Sequence, residues 1–319
     1  DTTDSPSNLS TTALAWMALG PGLGLPADDA VSLAWGATER WLQGALDGAR
    51  PNSTRLAAAL EAIYGEDRTF AVPILTACTI GGAFADDPDP WKVVRPLPFE
   101  VAALPQGLFR FLGLPVVSYA LPALIAIGQG IAHHRPSRNP AARLLRRALA
   151  PRTLRVLTGI QPANGGFLEA TPLTSFVTLS LVAIGEVQHQ VVSRGLSFLR
   201  ASVRADGSWP IDTDLATWGT TLSVGALGGD LEGADGVKGW LLDQQHTERH
   251  PFTGAAPGGW AWTDLPGGVP DADDTPGALL ALRLLEGETP SSEGRAAAAA
   301  GLRWLIDLQN RDGGIPAFC

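Results

Sequence analysis

Hydrophobic residues recur along most of the chain with the spacing of an amphipathic helix, and alternating, strand-like runs are scarce. Glycine, aspartate and proline separate the apolar segments, as these residues do at helix ends. In the C-terminal half the pattern predicts helices in TSFVTLSLVAIG, VVSRGLSFLRASV, TWGTTLSVGALGG, VKGWLLDQQ, PGALLALRLLEG and RAAAAAGLRWLIDLQ. The predicted fold class is therefore all-α.

A repeat accompanies these helices. Val156, Phe198 and Trp240 stand in equivalent places, 42 residues apart, and each is followed by a turn rich in glycine. Glutamine precedes the turn in three repeats, at Gln161, Gln244 and Gln309. Glycine supplies the positive φ that ends a helix, and the glutamine amide can bond helix-end groups that lack a partner. The period suits a pair of helices, and stacked pairs form a solenoid or a closed α/α barrel.

Composition narrows the class of protein. The chain has 319 residues, of which 45% are hydrophobic and 17% are charged, enough for one large or two medium domains. A net charge of −9 argues against nucleic acid as a partner. The two cysteines, Cys78 and Cys319, predict neither a disulfide framework nor a cysteine-rich metal site, which fits a reducing compartment. Ten tryptophans against two tyrosines favour aromatic surfaces for packing or for cation stabilisation.

Two neighbouring segments depart from the helical repeat. Residues 93–132 are nearly uncharged and interrupted by prolines, which predicts the lining of an apolar interior or a contact with lipid. Residues 133–157 gather seven arginines among leucines, typical either of a membrane-surface contact or of a solvated surface helix. We expect a cytoplasmic protein that associates peripherally, as a monotopic protein, with a membrane through residues 93–157.

The candidate chemistry lies in PDADDTPGALLALRLL, where Asp271, Asp273 and Asp274 precede an apolar helix. One interpretation is helix capping, with Asp274 or Thr275 as the N-cap and Pro276 in the first turn. The other is catalysis, because clustered carboxyls cannot all ionise cheaply and one of them keeps its proton.

Other polar residues have simpler interpretations. Asp212 and Asp214 are expected to cap the helix that starts near Leu215. His246 and His250 are four residues apart, but Pro251 ends any helix there, so no metal site is predicted.

The glutamine–glycine–ring repeats, together with PGGWAWTDLPGGVPDADDT, resemble the squalene–hopene cyclase and class II terpene cyclase superfamily, whose acid motif is Asp-x-Asp-Asp. The segments DPWKVVRPLPFEVAALP and GSWPIDTDLATWGTTLSVGAL resemble further parts of these cyclases, in the same order. The resemblance implies two α/α barrels: residues 1–195 as the inserted barrel without the acid motif, and 196–319 as the first half of the catalytic barrel. The missing half would come from the same chain or from a second one.

The resemblance also implies roles for individual residues. Asp273 is the expected proton donor, and Asp271 and Asp274 set its geometry and acidity. Trp262, Trp218 and Phe318 are the expected aromatic residues that bind substrate and stabilise cations. Gly219 and Ile315 stand where the family often has an aspartate and a tryptophan, which leaves the cavity shape open.

The expected activity is cyclisation, started by protonation, of a polyprene such as squalene, without a cofactor. Close alternatives are a prenyl diphosphate or a meroterpenoid substrate; Mg²⁺ is expected only if the substrate carries a diphosphate. A non-catalytic isoprenoid-binding protein on the same scaffold is a further alternative. The β subunit of protein prenyltransferases shares the barrel but needs zinc ligands that Cys78 and Cys319 do not supply.

Overall fold

The computed structural model describes residues 5–24, 26, 28–65, 68–105, 118–228 and 231–318. Within these ranges the chain forms twelve α-helices and no β-strand, apart from an isolated antiparallel bridge between Ala170 and Asp212. The helices are α1 (Leu9–Leu19), α2 (Asp29–Ala45), α3 (Ser53–Tyr64), α4 (Arg68–Ile80), α5 (Leu121–His134), α6 (Pro140–Ile160), α7 (Thr171–Ala183), α8 (Gln190–Ala201), α9 (Ala216–Leu227), α10 (Ala234–Asp243), α11 (Asp274–Glu286) and α12 (Ser292–Leu308). The prediction of an all-α fold is confirmed.

The chain folds into two compact units, each assembled from separate stretches. The first unit comprises the described parts of Asp1–Ala103, Ala123–Leu154 and Phe176–Val192. The second comprises those of Leu104–Pro122, Arg155–Ser175 and Ser193–Cys319. The proposed boundary between two family barrels, at residue 195, stays a prediction.

In the first unit, α1 packs against α2 and α4, and α3 packs against α4. Leu42, Leu56 and Leu60 are completely buried in the core between these helices. Each of the first three helices begins at a side chain that accepts a backbone N–H of the first turn, and these caps are Asn8, Asp28 and Asn52. This unit contains none of the predicted site residues.

In the second unit, α11 packs against α9, α10 and α12. Val224, Leu241 and Ala278 meet in its core with the completely buried Trp260. The indole Nε1 of Trp260 donates a hydrogen bond of 2.8 Å to the carbonyl of Leu241, so this large ring enters the core without an unsatisfied donor. Trp260 thereby anchors the segment that runs alongside the acid motif.

Two of the glycine turns of the second unit lie under aromatic rings, whereas a Cβ atom on Gly207 or Gly313 would meet nothing within 4 Å. A Cβ atom on Gly166 would stand 2.2 Å from the ring of Phe198, and one on Gly259 would stand 2.9 Å from the ring of Trp304. In both cases the ring belongs to the following repeat. At these two turns the absence of a Cβ atom lets the ring of the next repeat pack directly on the backbone.

The glutamines close these turns. The side-chain amides of Gln161 and Gln309 donate to the carbonyls of Gly165 and Gly313, at 3.1 and 2.8 Å. In the intervening repeat this bond is made by Gln245, which reaches Gly258 at 2.8 Å. The assignment of Gln244 to the repeat is wrong, because its amide bonds within its own helix to Trp240.

The basic segment forms the end of α5 and most of α6. Leu144 and Leu145 on α6 are 71% and 51% exposed, beside the exposed Arg143 and Arg147. Arg146 points to an ion pair with Glu100, at 3.2 Å. Residues 106–117 of the apolar segment lie outside the described residues. Among the helices that the structure describes, none is long and apolar enough to cross a membrane.

Candidate active site

The acid motif lies in a loop that is held on both sides by backbone hydrogen bonds. The N–H of Asp271 donates to the carbonyl of Trp260 at 3.0 Å, and the N–H of Ala272 donates to that of Ala317 at 2.8 Å. The hydroxyl of Thr275 adds a bond of 2.7 Å to the carbonyl of Asp271 and accepts one of 3.0 Å from the N–H of Trp260. The loop and the start of α11 are thus fixed to the buried Trp260 segment.

Asp271 performs the capping of α11. Its Oδ1 accepts the backbone N–H groups of Asp273 and Asp274, at 2.9 and 2.7 Å. Asp273 occupies the N-cap position, but its side chain makes no capping bond. The predicted caps, Asp274 and Thr275, are wrong, because Asp274 is the first helical residue and the Thr275 hydroxyl bonds to Asp271 and Trp260. A single carboxyl therefore satisfies the helix start, and the other two are not needed for it.

The three carboxyls differ in burial. Asp271 and Asp274 are 2% and 6% exposed, whereas Asp273 is exposed to solvent. Burial raises the pKa of Asp271 to about 8; its bonds to backbone N–H groups oppose this shift and the neighbouring Asp274 carboxyl adds to it. The pKa of Asp274 is also raised, chiefly by burial. At neutral pH, therefore, a proton of this cluster lies on Asp271.

One atom of Asp271 is of particular interest. Its Oδ2 is buried and has no partner of ordinary hydrogen-bond geometry among the described residues. An interaction with the Asp274 carboxyl nevertheless contributes to the raised pKa of Asp271. A buried carboxyl oxygen with no donor is far less costly as O–H than as O⁻. The geometry and the direction of the pKa shift therefore agree that Asp271 is protonated.

The predicted aromatic residues lie together beside the acid loop. The rings of Trp262 and Phe318 meet edge to face, with 6.4 Å between centroids and 87° between planes. The N–H of Trp218 donates to the carbonyl of Trp262 at 3.1 Å, and its ring is 47% exposed. Since Ala272 is bonded to Ala317, Phe318 directly adjoins the acid motif. The structure thus brings all six predicted site residues into one region of the second unit.

Sequence reasoning missed a further ring. Tyr119 packs against Phe318, with 4.8 Å between ring centroids. Tyr119 comes from a short 3₁₀ turn, Ser118–Ala120, that precedes α5. It is nearly 200 residues from Phe318 in sequence, so no local pattern connects the two residues. The ring cluster is therefore Trp262, Phe318 and Tyr119, with Trp218 attached through its backbone.

Sequence reasoning also missed a completely buried carboxylate, Glu169. Its Oε1 accepts from the amide of Asn164 at 2.7 Å and from the N–H of Gly267 at 2.8 Å. Its Oε2 accepts from the hydroxyl of Thr213 at 2.8 Å. Gly267 lies four residues before Asp271, so Glu169 touches the segment that leads into the acid motif.

The aspartates near α9 have separate roles. Oδ2 of Asp214 accepts the N–H of Ala216 at 3.1 Å, as expected of a helix start. The prediction that Asp212 shares this role is wrong. Asp212 is half-buried beside Glu169, and its pKa is raised first by burial and then by that neighbouring carboxylate.

The two histidines before the acid motif lie close to each other. His246 and His250 contact each other edge to face, and the described residues contain no group of three potential metal ligands. Burial lowers the pKa of both imidazoles, that of His246 to about 4. Cys78 is buried in the core of the first unit, and burial raises the pKa of its thiol to about 12. The Cys78 thiol is therefore protonated at physiological pH, and a protonated thiol is a poor zinc ligand.

Comparisons with known proteins find terpene cyclases that are similar to part of the chain. Over 171 residues, 49% of the chain, it is 28% identical to a sporulenol synthase of Bacillus subtilis. Over 168 residues, 46% of the chain, it is 32% identical to a terpene cyclase–glycosyl transferase fusion protein of Humicola fuscoatra. Over 186 residues, 54% of the chain, it is 30% identical to a squalene–hopene cyclase of Alicyclobacillus acidocaldarius.

These similarities are partial. They span 25%, 12% and 29% of the lengths of the three relatives, respectively. No family model matches the chain. Over about half of its own length, the chain is related in sequence to terpene cyclases.

Proposed function

We propose that this chain provides the acid-bearing part of a class II terpene cyclase, which starts cyclisation by protonating an alkene. The observation that carries this proposal is the arrangement of the three carboxyls. Asp271 caps the helix and holds a proton, which leaves the Asp273 side chain free of any capping duty. The similarity to sporulenol synthase and squalene–hopene cyclase supports the same class of chemistry.

In the proposed first step, Asp273 gives its proton to a terminal alkene of the substrate. A C–H bond forms, the alkene π bond breaks, and a tertiary carbocation and the Asp273 carboxylate remain. Asp273 is exposed in the structure, so it must first be protonated. An apolar substrate that covers this side chain removes its water, which disfavours the charged carboxylate. The protonated Asp271 and Asp274, whose pKa is also raised, lie next to it and limit the negative charge of the cluster.

The proposed second contribution is stabilisation of the cation by aromatic faces. Trp262, Trp218 and Phe318 lie around the acid loop, and the quadrupole of an indole or phenyl ring attracts a cation above its face. Tyr119 extends this surface from the other side of Phe318. Exclusion of water by these rings would protect the cation until deprotonation or water addition ends the reaction.

A closed cavity requires further protein on the open side of the site. Large apolar side chains on the helices of the second unit are exposed, among them Leu222, Leu280 and Ile306, at 62%, 65% and 69%. Such faces fit additional helix pairs of the same repeat, from this chain's own continuation or from a second chain. The substrate class, a polyprene such as squalene or a prenyl diphosphate that brings Mg²⁺, depends on that cavity.

A peripheral membrane contact is part of the proposal. The exposed Leu144 and Leu145 lie among exposed arginines on α6, the combination found on helices that rest on anionic lipid surfaces. Co-sedimentation with phosphatidylglycerol vesicles tests it, and failure to bind them in low salt would contradict it.

The substitution Asp273→Asn tests the acid assignment. Asparagine keeps the volume but has no acidic proton, so turnover of squalene or of C20 and C15 prenyl diphosphates should fall at least about 100-fold. Binding of squalane, a saturated analogue, should be retained. Products are measured by mass spectrometry, and binding by isothermal calorimetry.

Asp307→Asn is the matched control, because Asp307 is an exposed carboxyl of the same unit, on α12, outside the motif and the ring cluster. It should leave turnover unchanged. If Asp273→Asn still cyclises the substrate, the proton donor is another group. If the protein, complete with the part that closes the cavity, binds isoprenoids but forms no product from any of them, the scaffold is a carrier.

A further inference from the structure

Two buried side chains hold the pair of glycines that precedes the acid motif. Gly267 donates its N–H to Oε1 of Glu169 at 2.8 Å. Gly268 bonds through its carbonyl to Nε2 of His250 at 3.0 Å. We propose that Glu169 and His250 are positioning residues that fix the loop carrying Asp271 and Asp273; this inference rests on the proposed function of that loop. We call the four residues the glycine clamp.

The bonds of His250 determine which nitrogen carries its proton. Its Nδ1 lies 3.2 Å from the N–H of Thr253 and therefore accepts. Nε2 consequently carries the hydrogen and donates to the carbonyl of Gly268. The imidazole is 7% exposed, and its pKa is lowered by burial, so this neutral tautomer persists at physiological pH. The clamp thus has one acceptor, the Glu169 carboxylate, and one donor, the His250 imidazole.

The space around the two glycines shows how closely the clamp fits. A Cβ atom on Gly267 would lie 2.6 Å from Oε1 of Glu169 and 2.9 Å from the carbonyl oxygen of Gly166. One on Gly268 would lie 2.9 Å from Cγ2 of Thr263. No rotation of a flexible side chain would make room, since backbone atoms stand on the same side. The backbone of Gly267 and Gly268 therefore fits in one position only. It continues through the buried Val269 to Asp271.

Glu169 is itself held in an unusual conformation. Leu168 and Glu169 both have positive φ values, 57° and 52°, although neither is glycine. The backbone carbonyl of Glu169 also accepts the N–H of Thr213 at 3.0 Å. Strain of this kind persists where surrounding contacts over-determine a position. Here it directs a carboxylate inward, onto the chain that leads to the acid motif.

The buried environment of Asp271 is what the clamp would preserve. A loosened loop would admit water to Asp271 and lower the pKa of that carboxyl from about 8 towards its ordinary value. A residue that merely stabilises the fold would not move this titration while the protein stays folded. The titration can be read by ¹³C NMR of labelled aspartates, with the neighbouring Asp273 and Asp274 followed in the same spectra.

The decisive variants are Glu169→Ala and His250→Ala, each compared with its conservative partner, Glu169→Gln or His250→Gln. Glutamine can accept from Gly267 in place of Glu169 and can donate to Gly268 in place of His250. In the alanine variants the pKa of Asp271 should fall by about one unit or more. Turnover should fall about tenfold or more with KM nearly unchanged. The glutamine variants should restore most of both.

The control is Glu100→Ala, which removes a partly buried, ion-paired carboxyl from the first unit. It should lower stability without moving the Asp271 titration. Should Glu169→Ala fail to fold, Thr213→Val removes only one of the donors to Glu169, and a smaller shift in the same direction is expected.

The outcomes separate the two proposals. A shifted Asp271 titration in a protein that lacks cyclase activity even when the part closing the cavity is present retains the clamp and rejects the proposed function. Full cyclase activity with an unmoved titration in His250→Ala and in the folded Glu169 or Thr213 variant rejects the clamp and retains the function.

Discussion

Glu169 and Asp271 are both buried carboxyl groups of the second unit, yet their surroundings differ. Glu169 is completely buried and accepts three hydrogen bonds, at least one on each oxygen. Asp271 is 2% exposed and accepts two bonds on Oδ1, while its buried Oδ2 has no partner of ordinary geometry. A carboxyl whose oxygens are all supplied with donors is fitted to carry charge. One with an empty, buried oxygen is fitted to carry a proton.

The two carboxyl groups therefore have different roles: Glu169 stabilises the structure, and Asp271 holds a proton. Glu169 joins distant parts of the chain, because its partners Thr213 and Gly267 are 44 and 98 residues away. The side chain of Asp271 bonds within its own loop, to the N–H groups of its acidic neighbours Asp273 and Asp274. We therefore expect changes around Glu169 to act first on folding, and changes at Asp271 to act first on the pH dependence of stability.

The largest effect is expected from Gly267→Ala. The new methyl group would overlap Glu169 and the carbonyl of Gly166, and would break the bond between Gly267 and Glu169. The free energy of unfolding should fall by about 3 kcal/mol, measured by urea denaturation. Gly219→Ala is the control: Gly219 lies inside α9 with open space around it, so stability should rise by up to about 1 kcal/mol. Equal effects in the two variants would contradict the claim that the backbone at Gly267 has no room for a Cβ atom.

A smaller effect is expected from Asp271→Asn, and it should depend on pH. Between pH 3.8 and about 8 the Asp271 carboxyl is ionised in the unfolded chain but protonated in the native protein, so stability falls as pH rises. From pH 6.5 to 8 the native protein should lose about 2 kcal/mol relative to Asp271→Asn. Asparagine keeps Oδ1 as a helix cap and has nothing to ionise, so its curve should lack this fall.

The window begins at pH 6.5 for a reason. At lower pH the half-buried His246, whose pKa is lowered to about 4, and the buried His250 bind protons more readily when unfolded, which gives the opposite slope. Both histidines are present in the unmodified protein and in Asp271→Asn, so the difference between the two proteins in urea denaturation at pH 6.5 and 8 isolates the contribution of Asp271. Asp273→Asn should keep the slope of the unmodified protein. If Asp273→Asn lost that slope, the proton of the cluster would not lie on Asp271.

The smallest effect on stability is expected from Trp218→Phe. The ring is 47% exposed and the backbone bond to Trp262 is kept, so the free energy of unfolding should change by less than about 0.5 kcal/mol. The identity or proportion of cyclisation products should change, since the cation would face a different ring. Chromatography with mass detection would show it. A large loss of stability would instead make Trp218 a packing residue.

Much of the fold could be predicted because its signals are local. Helical periodicity predicts the helices, and glycine marks their ends, as at the stop of α9, where Gly228 has a φ of 76°. The contacts of Phe198 with Gly166 and of Trp304 with Gly259 follow a repeat that is visible in the sequence. The Gln244 error was an error of register by one residue, since a helix end does not show which of two adjacent glutamines faces the turn.

The site was predictable only in outline. The three aspartates stand out by their crowding, but sequence does not show which of them caps α11, because each is within reach of the first turn. Glu169 is a single acid in GFLEAT with no neighbouring pattern, and it becomes notable only through Asn164, Thr213 and Gly267. Tyr119 was missed for the same reason. Long-range polar contacts have no period, so periodicity cannot reveal them.

Three of the bonds that hold the segments carrying the site residues run through the backbone alone: Asp271 to Trp260, Ala272 to Ala317 and Trp218 to Trp262. Side chains at these joints can therefore be exchanged without undoing the joints. Such a scaffold is well suited to diversification, by natural mutation or in the laboratory. One inherited framework could hold its acid in place while the rings facing a substrate are replaced singly, so that new products arise without a loss of the founding reaction.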